Sequence, residues 1–125
     1  MPSGPSSPAD GVALLVTGHP AEALVAFRRA LDRGGTDVVH RTGLAAALAE
    51  LDDDDLGGAL DDLARHPARS ATERHHVEVV TLALTGRFVR ATGLGRQHLA
   101  DHPDDRLVRH VLVRWCPGVD DLREA

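Results

Sequence analysis

Glycine and proline cut this chain at short intervals, and between the cuts apolar residues recur at i, i+3 and i+4; such a chain reads as a succession of short amphipathic helices. Val12, Leu15 and Val16 carry the first helix, about Ala9 to Thr17, which stops at Gly18, the residue type that most easily ends a helix in the left-handed conformation. Pro20 then occupies a first-turn position with Glu22 beside it, where a carboxylate complements the helix dipole. This second helix runs to about Arg33, with Ala23, Leu24, Phe27, Ala30 and Leu31 on one face, and ends at Gly34-Gly35. Asp37 caps a third, about Val38 to Leu51, and a fourth spans Leu56 to Arg65. Ser70-Ala-Thr-Glu73 is a capping box that opens a helix to about Thr85, and Phe88 to Asp101 makes the next. Pro103 breaks the chain, and Asp104 or Asp105 caps a last helix through Trp115. Seven helices and no strand are expected.

The 125 residues suit one domain, expected over 9–125 behind a Pro- and Ser-rich lead-in, 1–8, that has no periodicity and reads as disordered. The apolar content, 42%, is mostly Leu, Val and Ala, with Phe27, Phe88 and Trp115 as the aromatics, so the core is one in which small side chains bring helices close. All 14 basic residues are Arg and the net charge is −5, without a clustered basic stripe, which argues against nucleic acid. No apolar run approaches the roughly 18 residues of a membrane span, and the N-terminus has no secretory signal pattern, so a cytoplasmic location without membrane association is expected. Cys116, the lone cysteine, reads as a buried structural thiol. Asp52 to Asp55 repel one another and mark a turn; a calcium loop needs alternating ligands and a distal Glu, which this run lacks.

The helices come in pairs, and the pairs repeat. Gly18-His-Pro-Ala-Glu-Ala23 and Gly86-Arg-Phe-Val-Arg-Ala91 open two equivalent second helices, while a middle copy near Ala59-Leu60 reads as shifted in register, with no glycine at its turn. These features resemble the tetratricopeptide repeat, a helix hairpin of about 34 residues. Gly11, Leu14, Gly18, Ala23, Phe27 and Ala30 fall on the pattern in a first repeat from Gly4 to Asp37. Leu82, Gly86, Ala91, Leu99 and Pro103 do so in a third from Thr72 to Asp105, which departs from it at Gly95 and His98. More specifically, Thr72 to Arg123 is similar to the tetratricopeptide repeat protein thirty-eight family, through Thr72-Glu-Arg-His-His-Val-Glu78, Gly86, Ala91, His98-Leu99, His102-Pro-Asp-Asp105, His110 and Gly118 with Leu122-Arg123. The resemblance implies an all-α fold, a tetratricopeptide-like array of about three helix hairpins plus a C-terminal capping helix. It implies architecture more than activity.

In such arrays the first helices of successive hairpins line a groove that takes partners. Placed on that template, the groove is Val12, Leu15, Val16, Val39, Ala46, His76, Val80, Leu84, His110 and Arg114. It is mostly apolar, and a chain without Lys or Asn cannot build the carboxylate clamp of the chaperone-binding members. The expected role is therefore a protein–protein interaction or scaffolding module that binds an apolar helix, a peptide or a second copy of itself, without a cofactor. The alternative is a small enzyme or ligand carrier in which His76, His110, Glu73 and Arg114 act at the groove. Eight histidines also raise the question of metal, for which His98 and His102, four apart, are the candidate pair, although Pro103 disfavours helical geometry at His102.

Overall fold

The computed structural model describes residues 8–124, and every regular element among them is helical. In order these are α1 (Pro8–Val16), α2 (Pro20–Asp32), α3 (Val38–Glu50), α4 (Leu56–Arg65), α5 (Ala71–Leu84), α6 (Phe88–Asp101) and α7 (Arg106–Trp115), followed by a short 3-10 helix (Asp120–Glu124). Each α-helix lies within a residue or two of its expected bounds because the signals that delimit it are local. The Asp37 carboxylate accepts from the Val39 N–H at 2.9 Å, and Ser70 Oγ accepts from the Glu73 N–H at 3.1 Å. The lead-in expected over 1–8 lies outside the described residues apart from Pro8, the first residue of α1. Among the described residues no helix is long and apolar enough to cross a membrane.

The chain, expected as one domain over 9–125, divides into two compact units, one through Arg65 and one from His66 onward. In the first, α1 and α2 form a hairpin, α3 packs against both, and α4 lies on α3. In the second, α5 and α6 form a hairpin, α7 packs against both, and the 3-10 helix closes on α7.

The turns inside the hairpins share one hydrogen-bond pattern. At the first, the Gly18 N–H donates to the Leu15 carbonyl and the His19 N–H to that of Leu14; at the last, Gly86 donates to Ala83 and Arg87 to Leu82. Both glycines have positive φ, 87° and 84°, where an L side chain is strained. Between them Asp52 donates to Ala49 and Asp53 to Leu48, with Asp52 at φ 52°. Gly18, Asp52 and Gly86 stand 34 positions apart, as do the acceptors Leu14, Leu48 and Leu82. The middle copy is thus in register, contrary to the sequence reading; what hid it is an aspartate at the left-handed position. Since left-handed backbone costs a non-glycine residue about 1 kcal/mol, Asp52→Gly should stabilise the first unit by up to that amount, read as a raised midpoint in urea unfolding.

Phe27 organises the first unit. It is 1% exposed, and its ring lies between two helices at positions where neither has a side chain. A Cβ built on Gly11 of α1 would stand 2.6 Å from the ring, and one on Gly43 of α3 would overlap the ring edge more severely. Close approach recurs in the second unit, where a Cβ on Gly95 of α6 would come within 2.5 Å of Leu112, a fully buried residue of α7. Gly95, a departure from the repeat pattern, is therefore the place where α7 seats against the hairpin.

Candidate functional site

Three helices of the second unit bring polar groups to one buried point. The capping box at the start of α5 is complete, because Glu73 Oε1 reaches back to accept from the Arg69 N–H at 2.9 Å. From that start the helical repeat turns His76 inward with Val79, Val80 and Ala83, all buried. On α6 the inward face is Ala91, Gly95, His98 and Leu99, so His98 also enters the core, with its side chain 1% exposed. Pro103 interrupts the chain, and Asp105 begins α7 as its cap: Oδ1 accepts from the Val108 N–H at 3.1 Å.

Capping leaves Asp105 Oδ2 available, and both histidines meet it. His76 Nδ1 lies 2.8 Å away and His98 Nε2 2.7 Å away. Burial on its own would raise the Asp105 pKa, but the hydrogen bond and charge of His76, with the bonds from His98 and Val108, outweigh it and hold the carboxyl at about 2. An ionised carboxylate only accepts, so the hydrogens lie on His76 Nδ1 and His98 Nε2. One aspartate thus ties α5 and α6 to the start of α7 through charge-assisted hydrogen bonds. The far nitrogen of His98, Nδ1, is buried without a hydrogen-bond partner. Beside the cluster is a cavity of about 100 Å³ whose lining includes His98, His102, His75, Gln97, Glu78 and Asp101.

No family model, no curated protein and no solved structure matches this chain. The geometry alone therefore carries the functional reading.

The structure redistributes the residues singled out from sequence. Of the groove set, Val12, Leu15, Ala46, His76 and Val80 are buried and offer no surface to a partner, which corrects their assignment: the apolar stripe that was read as a groove lining is largely the packing face of its helix. Val16 and Arg114 are exposed, while Val39, Leu84 and His110 are half-buried. Three members of the catalytic set make structural contacts. Glu73 completes a cap, Arg114 stacks 4.8 Å over the Trp115 ring, and His76 is engaged by Asp105. The metal pair is also rearranged. The His98 and His102 rings are 5.1 Å apart, but the donors that converge are His76, His98 and Asp105, while His102 lies 3.4 Å from Thr72 Oγ1. Asp105 was legible only as a possible cap; the further signal was that His76 and His98 each occupy the apolar face of a helix. Cys116 is buried as expected, and burial pushes its thiol pKa up, with a hydrogen bond to Thr92 opposing.

Proposed function

We propose that this chain is a partner-binding module of tetratricopeptide type, acting in the cytoplasm by docking an apolar helix or a second copy of itself on the first helices of its hairpins. The observation that carries this reading is the recurrence of one turn geometry at Gly18, Asp52 and Gly86, at the spacing of that repeat. The seating of the Phe27 ring against Gly11 supports it, since both residues fall on pattern positions named from sequence. Repeats of this kind present the first helix of each hairpin to partners; after its core is filled the first unit keeps Val16 of α1 exposed and Val39 of α3 half-exposed, and the second unit, taken by itself, keeps Leu84 of α5 half-exposed.

Light scattering over a dilution series, with cross-linking mass spectrometry of the tagged chain in cells, tests the proposal. The expected result is concentration-dependent association or a specific cross-linked protein, lost in Val16→Asp and Leu84→Asp while the helical circular dichroism signal persists. A chain that stays monomeric at every concentration and cross-links to nothing, or a partner retained by both variants, would overturn it.

A further inference from the structure

We propose that His76, His98 and Asp105 form a binding site for a divalent first-row transition ion, with zinc the best chemical fit. The three donor atoms, His76 Nδ1, His98 Nε2 and Asp105 Oδ2, come from three different helices and lie within 4.8 Å of one another. Two imidazole nitrogens and one carboxylate oxygen are a borderline donor set that suits zinc, which accepts three protein ligands with a fourth position for water.

A hydrogen-bonded staple alone does not need this arrangement. Capping α7 uses Oδ1, and one buried histidine would be enough to occupy Oδ2. Two buried imidazoles on a single oxygen desolvate an additional polar ring, a cost that a ligand role for the second imidazole would explain. At 2.7 and 2.8 Å the imidazole hydrogens bridge the gaps to Asp105 Oδ2. Zinc bonds of about 2.0–2.1 Å in tetrahedral array place ligand atoms about 3.3 Å apart, so loading requires the two edges to Asp105 to open by roughly half an ångström, the imidazole nitrogens to take that same spacing, and each imidazole proton to move from the ligating nitrogen to the other ring nitrogen. The backbone anchor of Asp105 at Val108 is untouched by that change. The cavity that His98 also lines carries Glu78 and Asp101 on its wall, and their charge favours the approach of a cation.

The test uses the full chain, stripped with chelator, labelled with nitrogen-15 and titrated with zinc chloride. One equivalent should bind, moving the ring-nitrogen resonances of His76 and His98 and leaving those of His19, His40 and His66 in place. His98→Gln should weaken binding by about a hundredfold or more, and His66→Gln should not change it. Saturation without movement at His76 and His98, or undiminished affinity in a folded His98→Gln protein, would overturn the proposal. If His98→Gln does not fold, the resonances of the unmodified chain still decide. The outcome is independent of whether the hairpins dock a partner.

Discussion

Phe27→Ala should cost the first unit about 3–5 kcal/mol, and Gly43→Ala about 1–3 kcal/mol, because the two residues share one space. The ring is enclosed by Gly11 on one helix and Gly43 on another, and it is fully buried, so it cannot swing aside when a methyl is added at Gly43. A unit of this size has a total stability of only about 3–9 kcal/mol, so Phe27→Ala should remove a large part of it. The informative measurement is the double-mutant cycle. In the Phe27→Ala background the methyl at Gly43 enters a void instead of a ring, so its penalty should vanish or reverse, giving a coupling of about 1–3 kcal/mol. Additive penalties in urea unfolding, followed by hydrogen exchange on peptides from α1 to α4, would show that the two glycines are not there to seat the ring.

That wedge also shows how far local reading reaches. Helix bounds were legible because caps, prolines and glycines act over three or four residues: Asp37, Ser70 and Pro103 each do what their chemistry dictates without help from tertiary structure. The middle repeat was not legible, since four aspartates in a row read as mutual repulsion, whereas one of them, Asp52, takes the backbone conformation that glycine takes at Gly18 and Gly86. The groove failed for a related reason. An apolar stripe at i, i+3, i+4 identifies a face that avoids water, but it cannot tell a face covered by a neighbouring helix from one left for a partner. Val12, Leu15, Ala46 and Val80 proved to be covered. The buried cluster joins residues from α5, α6 and the start of α7, and only the packing of α7 across the hairpin brings them together; sequence showed two histidines on apolar faces and a capping aspartate, but not that they meet.

Asp105 is where the second unit should prove most fragile. Asp105→Ala removes the cap of α7, worth about 1 kcal/mol, and strands two buried imidazole donors, so the combined loss should be about 3–5 kcal/mol. Asp105→Asn keeps an acceptor oxygen but replaces an anion with a neutral group, and it should fall between Ala and the unmodified chain. The same contact predicts the acid response. The folded carboxyl titrates at about 2, below its ordinary value of 3.8, so the stabilisation is fully present above the unfolded value and is lost as the pH falls from there through about 2. The difference corresponds to about 2 kcal/mol. In chelator-containing buffer, the urea midpoint of α5–α7, read by hydrogen exchange, should therefore drop between about pH 4 and pH 2 in the unmodified chain. Asp105→Asn removes the group that titrates, so its curve should be flatter across the same interval. Parallel curves would mean that other carboxylates govern the acid limit and that Asp105 does not join the three helices in solution.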